Sequence, residues 1–314
     1  MRSDLEKESD SSKVVIIFAG PNGSGKSTVN SKYMQDARAE GFDGVYINAD
    51  DISKGLESDI KEPFARNVEA ANRAEQLRLE CLKSGASFAF ETVMSTPEKV
   101  ALMTQAKERG YSVNLVFVTT DDADINVRRV QERVEKGGHP VLESSIKSRY
   151  ESAMKLLPCA VEHADSVFVY DNSLDGKAPL LVAQKVIGGN LEVSQGVLLP
   201  EWVTDRLMDV HRSRIESLAF LGKALKDQGY AEAPPVKHAE AVHGASYSGR
   251  IVAASALHVL QEQAKSQMLV HDKSLMQSRT HAVGQNATVT YAYDRGKIAE
   301  VDRGRERQFY ITAR

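Results

Sequence analysis

Val14-Val15-Ile16-Ile17-Phe18-Ala19-Gly20-Pro21-Asn22-Gly23-Ser24-Gly25-Lys26-Ser27-Thr28 decides the fold. The first six residues are a continuous apolar run, the pattern of a parallel strand buried on both faces. Gly20 to Thr28 form a complete G-x4-GK-[ST] phosphate-binding loop, and the stretch from Ser27 to about Ala39 can carry a helix. Glycines let the backbone turn tightly enough to aim successive N–H groups at phosphate oxygens, and the helix N-terminus adds partial positive charge. In that reading Gly20, Pro21, Asn22, Gly23, Ser24, Gly25, Lys26, Ser27 and Thr28 hold a nucleoside triphosphate. Lys26 reaches the β- and γ-phosphates and the Ser27 hydroxyl holds Mg2+.

Working outward, strand-like runs recur at Val45–Asn48, Ser87–Glu91, Asn114–Thr119 and Asp165–Tyr170, with helical stretches between them. This alternation predicts an α/β fold, a P-loop NTPase-type parallel sheet with helices on both faces. Each strand ends in polar or acidic residues, and in open α/β sheets the carboxyl ends of strands line the ligand crevice. Between the fourth and fifth strands, residues 124–157 read as a helical pair broken at Lys136-Gly137-Gly138-His139-Pro140. With Arg128, Arg129, Arg133 and Arg149, the pair reads as an arginine-bearing lid over phosphates, and Arg129 and Arg133 share one helical face at i, i+4.

Past Asn172 the pattern changes. Gly188-Gly189-Asn190 sits between β-capable runs as a hairpin, and residues 200–228 have helical periodicity. Ala231-Glu232-Ala233-Pro234-Pro235 reads as a linker, and from about Tyr247 short β-rich segments predict a small all-β domain. The expected division is a flexible N-terminus (1–13), a kinase-like domain (14–195), a helical segment and linker (196–246) and a β-rich domain (247–314).

Composition excludes several function classes. The 314 residues are 42% hydrophobic and 26% charged, with a net charge of −3 that gives no global pull toward nucleic acid or anionic membrane. No apolar run reaches the roughly 18 residues of a membrane span, and the polar start, MRSDLEKESDSSK, is neither signal peptide nor anchor. Cys81 and Cys159 are too few for a disulfide framework and read as buried thiols of a reducing, cytoplasmic protein. His211, His238, His243, His258, His271 and His281 show no HxH or HExxH spacing, so no zinc site is expected.

Two acids carry the chemistry. Asp50, at the end of Tyr46-Ile47-Asn48-Ala49-Asp50-Asp51, stands across the crevice from the loop, where a carboxylate can take the proton of a substrate hydroxyl. Asp51 is the alternative, or a helix cap. Glu91, in Phe88-Ala89-Phe90-Glu91-Thr92, ends a buried strand and so faces either a cleft or an ion-pair partner. The fourth strand ends in Thr119-Thr120, where a motor ATPase would place an acid. A small-substrate kinase, whose transition state needs positioning and cations, fits better.

With these motifs in place, residues 14–170 resemble the zeta toxin family of bacterial toxin–antitoxin systems. The resemblance rests on GPNGSGKST, INADD, FAFETV, KERGYSVNLVFV and RVQERVEKGGHPVLESSIKSRY in that order. It implies an ATP-dependent phosphotransferase that uses ATP–Mg2+ to phosphorylate the 3′-hydroxyl of UDP-N-acetylglucosamine, so blocking cell-wall synthesis, and an antitoxin protein as partner. It also implies roles: Asp50 as the catalytic base, Glu91 and Thr92 as the sugar-nucleotide strand end, Glu75 as another substrate-binding acid, and Arg133 as a phosphate-binding lid arginine. Arg149 is the candidate for a second such arginine, because the corresponding turn holds Gly138-His139. The C-terminal region, with YSGRIVAASALHVLQ and VGQNATVTYAYDRGKIAEV, resembles the KfrB domain of plasmid proteins. The alternatives are a kinase of the same fold acting on a drug, nucleoside or nucleic-acid end, and a nucleotide-dependent plasmid accessory protein. A nucleic-acid acceptor would call for a basic stripe with exposed aromatics, of which the sequence gives little sign.

Overall fold

A computed structural model describes residues 13–138, 140–230, 236–263, 267–276, 282–293, 298–303 and 306–311. His139, part of the expected linker (231–235) and His281 lie outside them. The first strand, β1 (Val14–Ala19), runs into the loop and then α1 (Lys26–Ala39). β2 (Val45–Ile47), α2 (Ala49–Gly55), α3 (Pro63–Ser84), β3 (Phe88–Thr92), α4 (Glu98–Glu108) and β4 (Ser112–Thr119) follow. Next come α5 (Ala123–Glu135), α6 (Glu143–His163), β5 (Ser166–Asp171) and the hairpin β6 (Leu180–Lys185) and β7 (Glu192–Val193). A sheet forms in the order β2-β3-β1-β4-β5-β6-β7. Its first five strands are parallel, while β6 and β7 are antiparallel additions.

The apolar run of β1 is buried throughout because it feeds two cores. Val15, Ile17 and Ala19 join the larger cluster with β3, β4 and α6, whereas Ile16 and Phe18 pack against Val29 and Met34 of α1. β1 lies between β3 and β4, so the chain leaves it toward one side of the sheet and returns on the other. That reversal opens a crevice at the carboxyl ends of the strands, where the loop sits.

A helical stretch with a π-helical segment at Val203–Met208 and α7 (Asp209–Asp227) leads to the second sheet. Its strands are β8 (Val236–His238), β9 (Ser246–Ala254), β10 (His258–Glu262), β11 (Met268–Asp272) and β12 (Asn286–Thr290), in the order β12-β9-β10-β11-β8. β8, in the stretch expected as linker, pairs parallel to β11, and the other pairings are antiparallel. β13 (Ile298–Arg303) and β14 (Glu306–Ile311) make a separate antiparallel pair.

The second sheet is a distinct layer, but its packing is continuous with the first unit. One face, through Val252, Leu260 and Val270, packs on Leu221 and Leu225 of α7. The other, through Ile251, Val259 and Tyr291, belongs to the same apolar cluster as the large core of the first sheet. Polar groups cross the junction as well: Arg214 of α7 donates to Glu162 of α6 at 2.9 Å and to Asp272 of β11, all three deeply buried. Burial pushes the Asp272 carboxyl up, but Arg214 outweighs it and holds the group well below the usual carboxylate range.

Candidate functional site

Gly20, Gly23 and Gly25 have φ of +140°, +78° and +87°, a region L side chains rarely adopt. The space around them is as restrictive: a Cβ on Gly20 would lie 2.0 Å from the Val118 carbonyl oxygen and one on Gly25 2.2 Å from Asn172 Nδ2. The loop is therefore pressed against β4 and the end of β5. Side-chain amides hold it there: Asn126 of α5 donates to the Asn22 carbonyl at 2.6 Å and Asn172 to the Ser24 carbonyl at 2.9 Å. Lys26 Nζ folds back on the carbonyls of Gly20 at 2.7 Å and Pro21 at 2.9 Å. Burial lowers its pKa to about 8, with Glu91 and Asp50 opposing the shift and Arg133 reinforcing it.

A pocket of about 490 Å3 opens beside this loop, lined by Asn22, Gly23, Gly25, Lys26 and Ser27, by Asn48 and Asp50, by Glu91 and Thr92, and by Arg129 and Arg133. A larger cleft of about 690 Å3 lies among Val14, Phe42, Gly85 and Ser87. It sits at the opposite, amino end of the strands and holds none of the candidate groups.

Asp50 is in the first turn of α2, three residues past the end of β2 and so beyond its expected place at the strand end. Asn48 caps that helix, accepting from Asp50 N at 2.8 Å, so the Asp50 side chain is left exposed to the pocket. Asp51 instead pairs with Lys54 at 3.0 Å on an exposed surface. Glu91 is held by a network that sequence reading missed: its Oε1 accepts from Tyr46 Oη at 2.7 Å and from Asn30 Nδ2 at 2.6 Å, with Asn48 Nδ2 at 3.4 Å. Burial and the Glu91 bond both push the Tyr46 hydroxyl's pKa upward, so it stays a donor. Thr92 accepts from the amide of Met94, the one non-glycine residue at positive φ (55°) among the described residues.

Of the expected lid pair, α5 faces the pocket, whereas α6 is built into the sheet's core through Tyr150, Ala153, Met154 and Leu157. Arg129 and Arg133 line the pocket, as their spacing requires. Arg129 is braced from behind, its guanidinium donating to Asp175 at 2.6 Å and to the Asn172 carbonyl at 2.8 Å. Glu75 and Arg149 are not brought to the pocket. Glu75 is exposed on α3, where its charge acts on Arg78 and Lys99. Arg149 is half-buried on α6, the helix that turns inward, and is absent from the pocket lining. Asp171, another strand-end acid, accepts from Trp202 Nε1 at 2.9 Å and is structural.

The donor set suits a triphosphate with a divalent cation. Asn22 Oδ1 and Ser24 Oγ are buried in the loop with no hydrogen-bond partner, polar atoms whose burial is costly without a ligand or loop movement to satisfy them. Ser27 contributes an exposed hydroxyl to the pocket wall and Lys26 a cation, so Ser27 would hold Mg2+.

A protein of Haemophilus influenzae described only as uncharacterized is 32% identical over 135 residues, covering 43% of this chain and 91% of that protein. Among solved structures, AvrRxo1-ORF1 in complex with AvrRxo1-ORF2 aligns with a TM-score of 0.47 at 17% identity, covering 59% of this chain and 62% of that one. This chain thus spans under two thirds of that protein's length. The Streptococcus pneumoniae PezAT toxin–antitoxin structure aligns at 0.41 with 16% identity, covering 55% and 72%. The KfrB domain matches residues 246–300. The zeta toxin family matches residues 2–175, over half the chain and all five parallel strands of the first sheet, and to that family the chain belongs.

Proposed function

We propose that this chain is an ATP–Mg2+-dependent kinase that phosphorylates the 3′-hydroxyl of UDP-N-acetylglucosamine, acting as the toxin of a toxin–antitoxin pair. The observation that carries the reading is one pocket lined by Lys26, Asp50, Glu91, Arg129 and Arg133. Asp50 accepts the proton of the acceptor hydroxyl as its oxygen bonds to the γ-phosphorus and the bond to the β-phosphate oxygen breaks, releasing ADP. Lys26, Arg129 and Arg133 offset charge on the transferred phosphoryl group. Glu91 and Thr92 form the wall against which the sugar nucleotide lies, and Tyr46 and Asn30 hold Glu91 in place. Mg2+, when bound, neutralises phosphate charge. Glu75 and Arg149 stand outside the pocket, so their proposed roles need a rearranged, substrate-bound state.

Family membership supports the kinase class and an antitoxin partner; the chain is proposed to act in the cytoplasm, where ATP and the sugar nucleotide are found. Residues 14–195 are proposed as the catalytic unit, 196–246 as the connection and 247–314 as the KfrB-like unit. The test is incubation with ATP–Mg2+ and UDP-N-acetylglucosamine. A singly phosphorylated product is expected, falling at least about 100-fold in Asp50→Asn with nucleotide affinity unchanged within about threefold. Product on another hydroxyl substrate alone removes the acceptor; no turnover on any hydroxyl removes the kinase.

A further inference from the structure

The junction between the two sheets holds a second cluster of chemically capable groups. Glu162 and His163 close α6, and His238 ends β8; one ligand atom from each lies within 4.8 Å of the others. The Glu162 side chain is only 4% exposed, and its Oε1 has no hydrogen-bond partner. His258 Nε2 lies 3.5 Å from it and His238 Nδ1 3.8 Å. The other oxygen, Oε2, is taken by Arg214 Nε at 2.9 Å.

Charge makes the orphan oxygen more telling. Arg214 is shared between Glu162 and Asp272, so with neutral imidazoles two buried carboxylates face one guanidinium. The Glu162 oxygen left over by Arg214 makes no hydrogen bond and is flanked by imidazoles, an arrangement that is costly to bury without a cation. The imidazoles are also oriented from outside the cluster. His163 Nδ1 lies 3.2 Å from Thr104 Oγ1, and with Nδ1–H donating there, Nε2 keeps its lone pair. Outer partners of this kind fix ring orientation at metal centres. An open pocket of about 360 Å3, bounded by His238, Glu108, Lys237 and Glu240, borders the His238 side of the cluster.

We infer that Glu162, His163 and His238 form a binding site for a single zinc-type divalent cation that ties β8 to the end of α6. Two imidazoles and a carboxylate are a zinc-compatible donor set, with a fourth position left for water on the exposed His238 side. Ligand atoms at a tetrahedral zinc lie roughly 3.3 Å apart, so the cluster contracts by at most about 1.5 Å on binding. Because the ligands come from two elements that the apolar core already brings together, the ion acts as a staple of the second sheet on the first unit.

The full-length chain, stripped of metal and free of nucleotide and Mg2+, is titrated with ZnCl2 and separately with CoCl2. One equivalent of zinc is expected to bind and raise Tm, and cobalt should give the intense visible absorption of a tetrahedral site. Glu162→Gln leaves Arg214 short of a partner and risks misfolding, so His238→Gln, on the more exposed ligand, is the informative variant. It should lose the cobalt band and bind zinc at least about 100-fold more weakly while its metal-free Tm stays within about 2 °C of the parent; His243→Gln should keep the band. Absence of stoichiometric uptake, or equal uptake by His238→Gln, overturns the site.

Discussion

Gly25 shows how little freedom the phosphate loop has. Its φ of +87° excludes an ordinary side chain, and the missing Cβ is where Asn172 Nδ2 sits. Gly25→Ala is expected to cost about 1–2 kcal/mol in backbone strain alone and to push Asn172 off the Ser24 carbonyl. Triphosphate affinity should fall at least tenfold, measured by titration with a fluorescent ATP analogue, with the fold intact by circular dichroism. Asp50 contrasts with it: an exposed carboxylate in a first helical turn has no packing role, so substitution there should leave stability within about 0.5 kcal/mol. Loss of turnover in a variant of unchanged Tm therefore speaks for chemistry.

At the next level, loop, α5 and β5 act as one assembly. Asn126 and Asn172 reach the loop carbonyls from different elements, and Arg129 ties the Asn172 carbonyl to Asp175. Asn172→Ala leaves the Ser24 carbonyl without this donor and is expected to cost about 1–3 kcal/mol by thermal unfolding. It also removes the atom with which an alanine at 25 collides. The double variant Gly25→Ala/Asn172→Ala should therefore be less damaged than the sum of the singles, with a coupling of roughly 0.5–2 kcal/mol in nucleotide binding. Strict additivity would show that the two do not share a contact. The elements themselves were largely legible, because an apolar run buried on both faces and a helix after Gly25 are local patterns. Asn30, Tyr46, Asn126 and Arg129 were not singled out as a supporting set. An asparagine or tyrosine on a helix or strand carries no local signal of which carboxylate or carbonyl it will meet.

Across the whole molecule, the junction decides stability. The Asp272 carboxyl faces Arg214, the Cys159 thiol at 3.0 Å and Ser274; the Arg214 nitrogen that meets it also lies 3.3 Å from His258, and Arg214 Nε bonds Glu162. Its folded pKa lies below the unfolded value, so its contribution is complete above about pH 5 and is lost as pH falls through about 4 and below. Fluorescence of the single tryptophan, Trp202, which is buried beside Asp171, follows the unfolding. Asp272→Asn should cost about 3 kcal/mol at pH 7 and flatten the acid limb. Truncation after Tyr230 should do more harm. The expected linker would make the second sheet dispensable, yet Ile251, Val259 and Tyr291 belong to the main core. The truncated chain is expected to aggregate or to lose a sharp thermal transition; a soluble fragment with the parent's Tm would contradict a shared core.

What the chain determines by itself is what short-range pattern encodes. The β1–loop–α1 unit, the alternation that makes the parallel sheet, and the placing of Asp50 and Glu91 at its carboxyl edge all follow from periodicity, glycine spacing and the rule that strand ends line the crevice. Tertiary structure alone decided which acids line the pocket beside the loop, that α6 turns inward and takes Arg149 with it, and that Glu162, His163 and His238 meet. Those outcomes depend on contacts between residues far apart in the chain, where the burial of an entire core, and no local preference, chooses the partner.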